Sequence, residues 1–160
     1  MKINKSYDYP ADVEQVFALI SSKEFREECC EYQGSPEYSV DISDDNGTTV
    51  IRIERKERNE LPDFVKKLTG EFVKVIQVEK WAPADGSGVR KAQVFVDIVG
   101  QPAQMKGTST LREVNGTSVM DLEGDVKVAI PLIGRKIEPE IVKAITASLD
   151  KDVELGATKL

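Results

Sequence analysis

The chain has 160 residues, of which 40% are hydrophobic and 31% are charged, a composition typical of a folded domain that buries one core. We expect a single domain over residues 1–160. The net charge of −6 argues against nucleic acid and anionic membrane as partners, because phosphate binding needs an excess of Lys and Arg in one place. No apolar run reaches 18 residues, so no integral membrane association is expected.

The only two cysteines, Cys29 and Cys30, are adjacent in the sequence. A disulfide between neighbouring residues would be strained, so we expect free thiols in a reducing compartment. Packing in the core is a better interpretation of these thiols than redox chemistry, although the sequence leaves both open. The start of the chain is polar and alternating, unlike a secretory signal, and we therefore expect a cytoplasmic protein.

The first 36 residues predict one strand followed by two short helices. Alternation over residues 2–9 is typical of a strand, which Pro10 ends. Helical spacing of apolar residues at positions 13, 16, 17 and 20 then predicts a helix with one buried face. Ser21 followed by Glu24 matches a capping box, so a second helix is expected from there to about Tyr32.

From residue 37 the apolar pattern changes to a period of two for about 90 residues. Turn signals such as Asn46-Gly47, Asp85-Gly86 and Asn115-Gly116 separate the alternating runs and predict tight hairpins. A short helical segment is expected near residues 62–68. The predicted strands cover residues 38–44, 48–58, 71–82, 89–99, 103–114 and 117–130.

The end of the chain, residues 133–160, predicts a long helix with apolar residues on an arc of roughly 180°. A helix that lies on a flat sheet needs an apolar stripe of only about 100°. We therefore expect a concave surface that contacts the helix on several sides, and a curled antiparallel sheet would provide one. The apolar arc consists of Ile137, Ile141, Val142, Ala144, Ile145, Leu149, Val153 and Leu155.

This order of elements resembles the helix-grip (SRPBCC) superfamily, which includes the steroidogenic-acute-regulatory-related (START) lipid-transfer domains, the polyketide cyclases and the birch pollen allergen. Two motifs support the resemblance: Tyr7-x-Tyr9-Pro10-Ala11-x-x-x-x-Val16-Phe17 and Ile130-Pro131-x-x-Gly134. The second motif, together with Leu61-Pro62 and Trp81, is also similar to an uncharacterised bacterial branch known only as a domain of unknown function. The resemblance implies an α+β fold in which about seven antiparallel strands wrap around the C-terminal helix. It also implies an apolar or amphipathic ligand between sheet and helix.

The sequence offers little for catalysis. It contains no histidine, the commonest general base and metal ligand, and it has none of the common nucleotide-binding or nucleophile motifs. The two cysteines with carboxylates would make a poor zinc site. We therefore predict no catalytic residues, no metal and no cofactor.

The inward faces of the last strands predict the site. Small residues and methionines on these faces suggest a cavity, although glycines in bent strands also relieve curvature. Trp81 is interpreted either as a packed rim residue or as a ligand contact, and Glu138 either as a charge at the helix N-terminus or as a polar anchor. The predicted ligand-binding residues are Val94, Val96, Met105, Gly107, Ser109, Leu111, Met120, Leu122, Gly124, Glu138, Ile141, Ile145 and Trp81.

The favoured function is the binding or carriage of a small hydrophobic or amphipathic molecule of the lipid, polyketide or isoprenoid class. One alternative is a protein-interaction module with a filled core, for which a protein would be the partner. The other is an enzyme of the cyclase or aromatase type, whose acid or base would have to be Glu, Asp, Tyr or Lys.

Overall fold

The computed structural model describes residues 1–160 as seven strands and four helices. The fold is α+β with two short helices after the first strand, as predicted. In chain order the elements are β1 (Lys2–Tyr9), α1 (Val13–Ile20), α2 (Lys23–Tyr32), β2 (Glu37–Asp45), β3 (Thr48–Arg58), α3 (Asp63–Thr69), β4 (Phe72–Trp81), β5 (Arg90–Ile98), β6 (Ala103–Val114), β7 (Thr117–Val128) and α4 (Gly134–Lys159).

The seven strands form one antiparallel sheet in the order β1-β7-β6-β5-β4-β3-β2. Consecutive strands pair from β2 to β7, and β1 pairs with the last strand. The Asn-Gly turns have the positive φ angles that tight hairpins require, with Asn46 at 51° and Gly47 at 91°. The predicted hairpins are confirmed, and strand ends differ from the prediction by at most two residues.

Side-chain caps fix the two short helices after β1. Asp12 caps α1 and forms a reciprocal pair with Gln15, which the sequence analysis did not identify. The cap of α2 is Ser22, which accepts from the backbone N–H of Phe25 at 3.3 Å. The prediction of Ser21 as this cap is wrong, because the Ser21 hydroxyl donates instead to the carbonyl of Phe17 at 2.6 Å.

Helix α4 packs on β7, β1 and α2, and it is buried near its two ends. Ile137 and Ile141 are buried towards the start, and Gly156 is buried towards the end. A Cβ atom at Gly156 would lie 3.4 Å from the Tyr9 ring, so glycine lets this end of α4 approach β1 closely. The apolar arc is not fully buried along its whole length, since Leu149 in the middle of the helix is only half-buried.

Two glycines lie opposite each other where β6 and β7 are closest. A Cβ atom at Gly107 would lie 2.3 Å from the carbonyl oxygen of Glu123, and one at Gly124 would lie 3.0 Å from that of Lys106. The interpretation that these glycines leave room for a ligand is therefore wrong. Their geometry supports the alternative that they allow close contact between bent strands.

Replacement of Gly107 by Ala should therefore destabilise the fold. The added methyl group must displace the backbone of β7, and we expect the free energy of unfolding to fall by about 1–3 kcal/mol in urea titrations. Gly86→Ala is the matched control, since Gly86 lies in an open loop with no atom near its Cβ position. Equal stability of the two variants would show that the two strands do not need a glycine at this contact.

Candidate functional site

A cavity of about 610 Å³ lies between the concave face of the sheet and α4, where the helix is not in contact with the strands. This volume falls within the range of roughly 300–1,000 Å³ that is usual for small-molecule pockets. The cavity reaches solvent between the end of β3 and α4, and the residues that line it there include the exposed Arg58, Lys143 and Lys151.

One wall of the cavity is apolar and is formed by the inward faces of β5, β6 and β7 together with α4. These strands are antiparallel neighbours, so alternate residues of each point to the same side. Seven of the residues predicted as ligand-binding lie in this wall, namely Val94, Val96, Met105, Met120, Leu122, Ile141 and Ile145.

The wall becomes polar on the neighbouring strand β4, whose inward face carries Gln77 and Glu79 before Trp81 and pairs with β5. The Arg26 guanidinium on α2 donates to Glu79 Oε1 at 2.8 Å, and both side chains are only 6–7% exposed. Trp81 donates its indole N–H to the same oxygen at 2.9 Å, while Gln77 donates to the other oxygen at 2.6 Å. Glu79 therefore accepts three hydrogen bonds, all from buried side chains.

The structure places Trp81 in the core, next to the cavity. Its side chain is 1% exposed and packs edge-on against Phe17, with 5.8 Å between ring centroids. It also lines the cavity. The only tryptophan is thus a core residue whose position depends on its hydrogen bond to Glu79.

The polar wall continues from β3 to α4 through side-chain hydrogen bonds. Arg55 donates to Gln77 Oε1 at 3.1 Å and to Ser148 Oγ at 3.4 Å. Ser148 donates in turn to Gln33 Oε1 at 2.7 Å, and the amide nitrogen of Gln33 donates to Asp152. Since each of these side chains holds the next, the wall is ordered without a ligand.

Burial changes the acid–base properties of several groups in this region. It raises the pKa of the Asp152 carboxyl and outweighs the opposite effect of the Arg26 and Arg55 guanidinium groups. Burial also raises the pKa of the Cys30 thiol to about 11 and that of Cys29 further. Both thiols therefore stay protonated at neutral pH, which favours a packing role over redox chemistry.

Two hydroxyl groups in the cavity wall have no hydrogen-bond partner within the protein. Tyr9 is 6% exposed and Ser109 is 8% exposed, and both line the cavity. No fully buried side-chain oxygen lacks a partner, so these hydroxyls must be in contact with the open space. They are therefore available to hydrogen-bond a bound molecule.

Four residues predicted as ligand-binding lie outside the cavity. Gly107 and Gly124 are at the contact between β6 and β7, and Leu111 is fully buried in the core. The carboxylate of Glu138 accepts from the backbone N–H of Val128 at 3.0 Å, which lowers its pKa. It connects the start of α4 to the end of β7, so its predicted role as an anchor for ligand is wrong.

The sequence analysis did not identify the polar wall, although signals for it were present. Ser148 and Asp152 follow Ile141 by seven and eleven residues, which is two and about three helical turns, so they share its face. Glu79 precedes Trp81 by two residues and shares its side of the strand. A carboxylate on an otherwise apolar face indicates a buried polar contact.

Seven curled strands, two short helices after the first strand and a cavity under a long terminal helix define the helix-grip fold. Solved structures with this fold match nearly the whole chain. The protein TTHA0849 from Thermus thermophilus has 15% identity and a TM-score of 0.64, covering 99% of this chain and 95% of its own. The Zhui aromatase/cyclase from Streptomyces sp. R1128 has 9% identity and a TM-score of 0.62, covering 99% and 92%. A STAR-related lipid transfer protein from Xanthomonas axonopodis has 10% identity and a TM-score of 0.60, covering 97% and 85%.

The predicted helix-grip fold is confirmed. Within it, this chain belongs to the family described as "Protein of unknown function (DUF2505)", whose model matches residues 4–160. No curated protein matches the chain in sequence. None of the four helices is long and apolar enough to cross a membrane.

Removal of one partner from the buried Arg26–Glu79 pair should destabilise the protein strongly. Glu79→Leu leaves the guanidinium buried and unpaired, and we expect a loss of about 3–5 kcal/mol in the free energy of unfolding. The double variant with Arg26→Met should recover most of this loss. Arg52→Met, which breaks the exposed Arg52–Glu54 pair, should cost less than about 1 kcal/mol. If Glu79→Leu unfolds at the same urea concentration as Arg52→Met, the pair is not buried as described.

Proposed function

We propose that the protein binds a small amphipathic molecule in the cavity between the sheet and α4. The observation that carries this proposal is the division of the cavity into an apolar wall on β5–β7 and a polar wall on β3, β4 and α2. A ligand with an apolar body and one polar group would match both walls. The seven residues of the apolar wall, with Ser109 and Trp81, are the proposed ligand contacts.

The polar wall is already ordered by its own hydrogen bonds, which supports ligand binding as the role of the cavity. A void of this size forfeits packing contacts, which a folded protein normally retains. The buried side chains around it are hydrogen-bonded to one another, so little must rearrange when a ligand enters. The alternative of an interaction module with a filled core lacks the core that it requires.

Catalysis is the second candidate. Tyr9 and Asp152 are acid–base groups in the cavity, and one structural neighbour is an aromatase/cyclase. The two buried arginines, however, are engaged with carboxylates, since Arg26 pairs with Glu79 and Arg55 with Glu57. Because both buried arginines are already paired, the wall is better suited to holding a molecule than to transferring protons to it, and we therefore favour a binder or carrier.

The proposal also covers partner and location. The partner is a small molecule of the lipid, polyketide or isoprenoid class, and neither nucleic acid nor cofactor has a role. The two free cysteines are compatible with a reducing compartment, so we place the protein in the cytoplasm.

A bulky side chain introduced on β6 can block the cavity, and the same substitution at the neighbouring residue serves as the control. Ser109 faces the cavity, whereas Thr108 is exposed on the convex face of β6. Nile red, an uncharged apolar fluorophore, should bind the wild-type protein, and Ser109→Phe should weaken its binding at least tenfold because the ring occupies the cavity. Thr108→Phe should bind Nile red like the wild type.

Circular dichroism and urea unfolding would establish that both variants are folded. Equal Nile red affinity of Ser109→Phe and Thr108→Phe, with both folded, would contradict binding in this cavity.

A further inference from the structure

The buried positive charges of the polar wall are already compensated. Arg26 forms its ion pair with Glu79 at 2.8 Å, and the guanidinium of Arg55 contacts the carboxylate of Glu57. Each arginine therefore has its own carboxylate partner. A ligand would have to compete with these contacts to recruit either guanidinium group.

Asp152 is the carboxylate in this wall that has no cationic partner in contact. No Lys or Arg nitrogen lies within 4.0 Å of it, and its hydrogen-bond donor is the Gln33 amide. Gln33 is oriented by Ser148, which donates to its oxygen at 2.7 Å, so the amide nitrogen is the atom that faces Asp152. Asp152 thus acts as an acceptor at the edge of an open cavity.

The charged groups of the polar wall differ in whether they have a partner of opposite charge. Two ion pairs, Arg26–Glu79 and Arg55–Glu57, are in contact in this wall, whereas Asp152 has no cation in contact when it is ionised. Burial raises the pKa of Asp152 in spite of both arginines, so the carboxylate lacks stabilisation in the empty cavity. The other charged residues that line the cavity are exposed and screened by water and salt, apart from Glu140, which is half-buried and pairs with Lys143.

A second polar group is available beside Asp152. Tyr9 packs against α4 at Gly156, which is one turn beyond Asp152. Its hydroxyl is free of partners within the protein and lines the same cavity. The two side chains can therefore contact one polar group of a ligand, with Asp152 supplying charge and Tyr9 an oxygen acceptor.

We propose that the cavity selects an amphipathic amine, whose protonated nitrogen pairs with Asp152 and hydrogen-bonds Tyr9 while its apolar body lies along β5–β7. This inference rests on the proposed binding function and specifies the class of ligand. An anionic head group would instead lie beside Glu57, Glu79 and Asp152, and repulsion would weaken its binding. An uncharged alcohol should rank between the two.

The test compares three compounds with the same tail, namely decylamine, 1-decanol and decanoate, in displacement of Nile red at pH 7.5. Wild-type protein should bind decylamine at least roughly tenfold more tightly than 1-decanol, and decanoate most weakly. Asp152→Asn keeps the acceptor oxygen for Gln33 but removes the charge, so the ratio of decylamine to 1-decanol affinity should fall towards one. Asp150→Asn is the matched control, because Asp150 is exposed on the same helix and does not line the cavity, and it should keep the wild-type ratio.

The outcomes separate this inference from the proposed function. If Nile red binds but decanoate displaces it as well as decylamine does, the selection of amines is wrong and the binding function stands. The same conclusion follows if Asp152→Asn keeps the wild-type ratio. If neither Nile red nor any of the decyl compounds binds to the folded wild-type protein, both proposals fail.

Discussion

The structure depends on how α4 is held: its fully buried residues lie near its two ends, whereas its middle is partly buried and is hydrogen-bonded to the rest of the protein through Ser148 and Asp152. Ile137 and Ile141 anchor its first turns, and Gly156 lets its last turns approach Tyr9 and Phe25. Between these anchors the sheet curves away, and apolar residues that would otherwise be buried in a core face open space. The cavity therefore lies beneath the partly buried middle of α4, on the concave face of the sheet.

The close pair of glycines in β6 and β7 belongs to the same constraint. A Cβ atom at Gly107 would lie too close to the backbone of β7, so glycine is needed there for the two strands to pair as they do. The sheet thus needs glycine for its shape, and that shape creates the space for a ligand. The two glycines act on the cavity from outside it.

The buried polar side chains of the cavity wall are carried mainly by β3, β4 and α2. The polar wall buries Arg26, Arg55 and Glu79 beside an apolar wall, an arrangement that costs desolvation and adds little stability over an apolar core. A wall of this kind is easier to understand as part of a binding site than as a stabilising element. Within this wall, Asp152 is a carboxylate that has no cation in contact, and burial raises its pKa.

Much of the fold could be predicted from the sequence because the signals are local. Asn-Gly turns mark hairpins, and the apolar arc of the last helix indicates a concave partner. The polar wall could not be predicted in the same way, since Arg26 and Glu79 are 53 residues apart and only the fold brings them together. The role of Gly107 also escaped prediction, because it depends on the register that places it opposite Gly124.

For the site, alternation along β5–β7 correctly indicates which residues face inwards, but it carries no information on how close the helix lies. Leu111 could therefore not be distinguished from residues such as Met105 that reach open space.

A crystal structure determined under xenon pressure tests the central claim most directly, because xenon enters apolar cavities that are not filled by side chains. The account predicts xenon peaks, or the density of a molecule retained from purification, between α4 and the side chains of Val94, Val96 and Met105. Side chains of α4 packed directly against these three residues, with no density between them, would contradict it.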